Sequence, residues 1–165
     1  MRVRELGEAD NAILAEATLL NLNWVGDRFA HVVVNANSAF AHYARLLPSR
    51  GDFGFVAEDE GGSSNDAGAS WLGVVWVLYL PGAEPGFGFV AESVAELSIC
   101  VQPGVRGRGL GRRLLQTALA GAVDRGHRQL SLSVEEGNPA RGLYASVGFV
   151  DAPVPAAPGT MIWTA

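Results

Sequence analysis

The chain has 165 residues, 48% of them hydrophobic and 18% charged, which is enough apolar material for one compact domain and argues against a largely disordered chain. Seventeen acidic residues against twelve basic ones leave a net charge of -5, which argues against a general binder of nucleic acid or of anionic membrane, since such partners require a basic footprint. Every basic residue is an arginine, so a lysine Schiff base and a phosphate-loop lysine are excluded outright. The single cysteine, Cys100, excludes an internal disulfide and any zinc site built on two or more cysteines, and His31, His42 and His127 are too far apart to read as a ligand motif. No metal is expected. Glu5, Glu8 and Asp10 interrupt the start where a signal peptide would be apolar, and no segment approaches the ~20 apolar residues of a membrane span. The expectation is a cytoplasmic protein.

In chain order, Arg2 to Leu6 reads as a short first strand, and Asp10 stands at the cap position of a helix over 10–22 whose apolar face carries Ile13, Leu14, Ala17 and Leu20. Val25 to Asn35 is ambiguous. A second helical pattern runs through Phe40, Tyr43, Ala44 and Leu47 and stops before Pro48. Gly54 to Glu58 reads as a strand, Asp59 to Gly68 as an exposed hairpin turn, and Ala69 to Leu80 as the return strand. A Gly/Pro-rich loop, Pro81 to Gly88, leads to a strand that starts at about Phe89 or Glu92 and ends at Val101. Leu110, Leu114, Leu115, Ala118, Leu119 and Ala122 share one face of a helix over 109–125, with Gly126 at its stop. A strand over 129–134, a shorter helix over 138–146 opened by Asn138 and Pro139, and a last strand near Met161 to Thr164 complete the chain. This order predicts one α/β (α+β) domain, a mixed, mostly antiparallel central sheet flanked by helices.

The chemistry concentrates where the strand ending at Val101 passes through a glycine-rich turn directly into the long helix. Gly107, Gly109 and Gly111 let the backbone turn so that successive N–H groups point at one spot, and the helix start adds unpaired N–H groups of partial positive charge. Arg106, Arg108, Arg112 and Arg113 make this the most basic stretch of an acidic chain. A phosphate-bearing ligand is its natural occupant. The Walker pattern is absent for want of Gly-Lys-Ser/Thr, and the dinucleotide fingerprint fails because its third glycine falls on Leu114.

What these residues do resemble is the acetyl-coenzyme A motif of the GNAT acyltransferase superfamily: Val101-Gln102-Pro103, then Arg106-Gly107-Arg108-Gly109-Leu110-Gly111. Downstream, Asn138, Ala140, Leu143, Tyr144, Gly148 and Phe149 are similar to the family's second motif, with slightly altered spacing. The resemblance covers residues 96 to 149. It implies a single N-acetyltransferase domain over 1–165, with an acceptor side over about 1–90 and an acyl-CoA-binding half over about 91–165. It further implies acetyl-CoA as co-substrate, a primary amine as acceptor, and direct transfer in a ternary complex. The acceptor is a small amine or a peptide N-terminus, the alternative being a non-catalytic acyl-CoA sensor. Homodimers are common in the superfamily.

Strand alternation puts Glu96, Ser98 and Cys100 on one face and Leu97, Ile99 and Val101 on the other. Glu96 among such neighbours is costly unless paired or functional, and its place is similar to that of the family's base; the other reading is a carboxylate at the strand's wet edge. By the same resemblance Tyr144 is the acid that reprotonates the thiolate; the other reading is a plain core tyrosine. By resemblance, the backbone of Ile99, Cys100 and Val101 pairs with the pantetheine arm and the 106–111 N–H groups hold the pyrophosphate. Asn138 caps its helix and, by resemblance, also meets that arm. Arg112, Arg113 and Arg141 are candidates for the remaining phosphate. Cys100 is read as packing rather than as an acyl carrier, and Trp24, Phe29, His31, Trp71 and Trp76 as core rather than as site residues.

Overall fold

A computed structural model describes residues 1–59 and 71–165. A seven-stranded sheet forms its centre. The strands are β1 (Arg2–Glu5), β2 (Phe53–Glu58), β3 (Trp71–Leu78), β4 (Ala95–Val101), β5 (Gln129–Ser133), β6 (Val150–Asp151) and β7 (Thr160–Thr164), in the order β1-β2-β3-β4-β5-β7-β6. Every pairing is antiparallel except β4 with β5. The predicted hairpin turn lies almost wholly outside the described residues.

The helices are α1 (Asn11–Leu22), α2 (His31–Ala36), α3 (Ser38–Ala41), α4 (Leu110–Asp124) and α5 (Ala140–Ala145). On one face of the sheet, Leu114, Leu115 and Ala118 of α4 are fully buried against Val75, Val77, Leu97 and Leu130. Each buried leucine there contributes about 1.5–3 kcal/mol. On the other face Leu14 and Ala17 of α1 pack with Val74, Trp76, Leu78 and Cys100. The predicted alternation along β4 holds: Leu97 and Ile99 belong to the α4 side and Cys100 to the α1 side. Among the described residues no helix is long and apolar enough to cross a membrane.

Three expectations need correction. Asp10 precedes α1 as predicted, but its carboxylate does not cap it: the oxygens accept from Arg4 (2.8 and 2.9 Å) and from the Gly7 N–H (2.8 Å). The pattern through Leu47 is not one helix. Asn37 caps the four-residue α3, His42–Ala44 tightens into a 3-10 turn, and Arg45 is extended. Strand β4 begins at Ala95 rather than at Phe89 or Glu92. Turn bonds from Phe89 to Gly86 and from Val94 to Ala91 occupy the preceding backbone, so its apolar residues close a loop instead of joining the ladder.

Candidate active site

Strand β4 pairs with β3 along six residues but with β5 only at Ala95 and Glu96. Beyond Glu96 the two parallel strands diverge, and a cleft of about 680 Å³ opens at the gap. A strand edge without a ladder partner must satisfy its polar groups otherwise. Here Asn21 Nδ2 of α1 donates to the Ile99 carbonyl (3.0 Å) and Arg106 Nε donates to the Val101 carbonyl (2.9 Å).

At one end of the cleft the glycine turn leads into α4. Gly107 and Gly109 have φ of 76° and 81°, a left-handed conformation that side chains with a Cβ rarely adopt. The first bond of the helix runs from the Arg113 N–H to the Gly109 carbonyl (3.1 Å), so the N–H groups of Leu110, Gly111 and Arg112 have no partner within it. Together they gather hydrogen-bond donors at the positive end of a 15-residue helix, a geometry suited to an anion.

Glu96, Ile99, Cys100, Val101, Arg106, Gly107, Gly111, Asn138 and Tyr144 all line this cleft. Arg108, Gly109 and Leu110 instead border a separate hollow of about 310 Å³ with Arg113, and the Leu110 side chain is buried. Arg112 Nη1 reaches the Ser146 carbonyl at 3.5 Å, and Arg141 is paired with Asp151. Asn138 Oδ1 accepts from the Ala140 N–H (2.9 Å), the expected cap at the start of α5. Trp24 and Trp76 also line the cleft, whereas Trp71 donates to Glu16 and Phe29 packs edge-on to Phe40.

Glu96 is 5% exposed. Its Oε1 accepts from the Tyr43 hydroxyl (2.6 Å) and from the Gly88 N–H (3.1 Å), while Oε2 has no hydrogen-bond partner among the described residues. Burial pushes this carboxyl above its ordinary range, and the two hydrogen bonds, which favour the ionised form, oppose that shift. Tyr43 in turn accepts from the Phe87 N–H (2.7 Å), and burial beside the carboxylate drives its phenol strongly upward. A Cβ at Gly86 would lie 2.1 Å from Glu96 Oε2, so only glycine lets the β3–β4 loop close over the carboxylate. Neither Tyr43 nor Gly86 was legible as a site residue. Tyr43 sits 53 positions from Glu96 and reads as one more apolar face residue.

Tyr144, on α5, is 9% exposed and packs edge-on against Phe149. Burial, with Cys100 nearby, pushes its phenol up to about 12, so it keeps its proton at neutral pH. Burial likewise pushes the Cys100 thiol up to about 12, which leaves almost no thiolate to act as a nucleophile. Across the cleft mouth, Trp24 Nε1 (2.8 Å) and the Arg28 guanidinium (3.1 Å) converge on Glu135, joining the segment after α1 to the segment after β5. The ion pair is solvent-exposed and adds at most about 1 kcal/mol.

A family model described as an acetyltransferase (GNAT) domain matches residues 51–151, and the chain belongs to that family. Solved structures share the whole fold. A GNAT acetyltransferase from Staphylococcus aureus is 12% identical, with 99% of this chain and 98% of that one covered, at a TM-score of 0.67. The ribosomal-protein-alanine N-acetyltransferase of Brucella melitensis is 24% identical with full coverage of both chains (TM-score 0.64). A phosphinothricin acetyltransferase from Sinorhizobium meliloti, solved in complex with acetyl-CoA, is 19% identical, covering 98% of this chain and 85% of that one (TM-score 0.61). A comparison with curated proteins returns no match.

Proposed function

We propose that the chain is an acetyl-CoA-dependent N-acetyltransferase that moves an acetyl group directly to a primary amine in a ternary complex. The observation that carries this reading is the gap between β4 and β5, which leads from the glycine turn to a cleft holding Glu96 and Tyr144. Diphosphate oxygens accept from the N–H groups of the 106–111 turn, and the pantetheine arm lies along β4 at Ile99–Val101, taking the place of the Asn21 and Arg106 contacts. Asn138 Oδ1 caps α5, and its Nδ2, which donates no hydrogen bond among the described residues, meets the arm. The relative bound to acetyl-CoA supports the choice of donor.

An ammonium has no lone pair, so the acceptor must first lose a proton. Glu96 takes it, through a water where Gly86 covers the carboxylate. The amine nitrogen then attacks the thioester carbonyl carbon, whose oxygen is stabilised by β4 N–H groups. Collapse of the tetrahedral intermediate breaks the C–S bond, and the nitrogen gives up its second proton to solvent, which leaves a neutral amide. Tyr144 donates a hydrogen bond to the departing sulfur and passes on its proton, which solvent replaces. Because a phenol at about 12 is a weaker acid than an ordinary thiol at about 8.5, replacement completes the transfer.

Thermal-shift titration with acetyl-CoA, coenzyme A and NADH in parallel tests the donor. A ligand at a hundred times its Kd stabilises by about 2.7 kcal/mol, or about 5–10 °C for a domain of this size. A shift with both coenzyme A forms and none with NADH is expected; no shift with either sinks the reading. Tyr144→Phe is expected to lower kcat about a hundredfold with little change in acetyl-CoA affinity. Steady-state kinetics with an unaltered kcat would remove the acid role.

A further inference from the structure

Beside Glu96 lies a row of four aromatic rings, of which Phe87 and Tyr43 line the cleft. Four aromatic rings run in sequence from Phe29 through Phe40 and Phe87 to Tyr43: Phe29 meets Phe40 at 5.3 Å edge-on, Phe40 meets Phe87 at 6.0 Å, and Phe87 stacks on Tyr43 at 6.0 Å with the planes 4° apart. The run ends at the Tyr43 hydroxyl on Glu96. Most large apolar side chains of this domain are buried, yet Phe87 is 51% exposed and lines the cleft. Its ring is therefore apolar surface that internal packing leaves uncovered. Trp76 and Trp24 line the same cleft.

Charge gives the second half of the argument. Among the described residues two carboxylates line the cleft, Glu96 and Glu135, and one basic side chain does, Arg106, which belongs to the glycine turn and is bonded to the Val101 carbonyl. Arg28, which does not line the cleft, is paired with Glu135. An acceptor carrying a carboxylate beside its amine would place that charge near Glu96 with no cation to meet it, and like charges so placed cost several kcal/mol. An ammonium, by contrast, is drawn to the end where Glu96 Oε2 has no hydrogen-bond partner among the described residues. The Trp24 and Arg28 contacts to Glu135 tie together two segments that both line the cleft, which narrows the room for a long acceptor such as a peptide.

We infer that the acceptor, on the acetyltransferase reading above, is a small primary amine with an aromatic body and no carboxylate next to its nitrogen. The ring stacks on Phe87, and the amine reaches toward Glu96.

Three acceptors with the same benzyl body separate the possibilities: 2-phenylethylamine, L-phenylalanine, and a tetrapeptide amide that begins with phenylalanine. Each is assayed with acetyl-CoA by free-thiol release, and acetyl-CoA binding is measured separately by calorimetry. The expected result is a kcat/KM for 2-phenylethylamine at least about a hundredfold above that for phenylalanine, and above that for the peptide. Phe87→Ala is expected to raise the KM for 2-phenylethylamine several-fold and leave that for acetyl-CoA unchanged, since the variant loses the ring stack on Tyr43 but keeps the hydrogen bond that the Phe87 backbone N–H donates to the Tyr43 hydroxyl. Phe87→Leu, which keeps apolar bulk without the ring, is expected to fall between. Equal or reversed preference, no turnover of the amine although acetyl-CoA binds, or an unmoved KM in Phe87→Ala each overturns the acceptor class alone. Failure of acetyl-CoA to bind overturns the acetyltransferase reading and this inference with it.

Discussion

The Tyr43 hydroxyl donates to Glu96 Oε1 and accepts from the Phe87 N–H, so a single oxygen ties the segment after α3, the β3–β4 loop and β4 together. Its energetic effect on Glu96 has a definite sign. Burial raises the carboxyl, and the Tyr43 hydrogen bond favours the charged form and holds the rise down. Tyr43→Phe removes that donor, so Glu96 should titrate at still higher pH. A hydrogen bond to a charged group is worth about 1.5–3 kcal/mol, or about one to two pH units. The rising limb of kcat/KM against pH is therefore expected to move alkaline by about that much. A limb that stays in place would detach Glu96 from the rate. His42 is adjacent to this pair, its ring 4.4 Å from that of Tyr43, and burial holds its pKa below the ordinary value.

At the scale of elements, the turn before α4 is the place where backbone conformation, rather than side chains, makes the site. Gly109 stands at its N-cap with φ of 81° and open space where a Cβ would go. Gly109→Ala is thus strained without being crowded, at a cost of about 1–2 kcal/mol. It is expected to weaken acetyl-CoA binding at least tenfold by turning the N–H groups away, with a melting temperature only a few degrees lower; calorimetry showing an unchanged Kd would separate this turn from the coenzyme. That element was readable in the sequence because its signals are local: leucines at helical spacing, glycines in a cluster, and four of the twelve arginines within eight residues. Elements held by distant partners were less readable. The α3 region broke from its apolar period because Asn37 caps a new start, and β4 began late because loop turns took the backbone of Phe89–Val94. The two-residue β6 carries no periodicity and was not predicted. Tyr43, Gly86 and Asn21 act through contacts 10 to 78 residues away, where no spacing rule reaches.

For the whole molecule, a buried carboxylate in the middle of a sheet is a stability cost that depends on pH. Because the folded state holds the Glu96 proton more tightly than the unfolded chain does, the contribution of Glu96 to stability is fully present below the ordinary carboxyl range and is lost as pH rises through the folded value. Glu96→Gln keeps an oxygen to accept from Tyr43 and Gly88 but never ionises. Its melting temperature is expected to match the parent at pH 4 and to exceed it by a few degrees at pH 8, as differential scanning calorimetry would show; a variant that melts lower at pH 8 would mean that the charge stabilises the fold. The divergence of β4 from β5 carries a different consequence. An unpaired strand edge is a template for any passing strand, and proteins with such edges risk joining one another through them. Asn21 and Arg106 occupy the Ile99 and Val101 carbonyls with side chains instead of a ladder. Side chains swing aside in nanoseconds, whereas a docked strand does not leave so readily. The two side chains thereby shield the seam from foreign strands, and on the proposed acetyl-CoA reading the same seam opens to a ligand that brings its own amides.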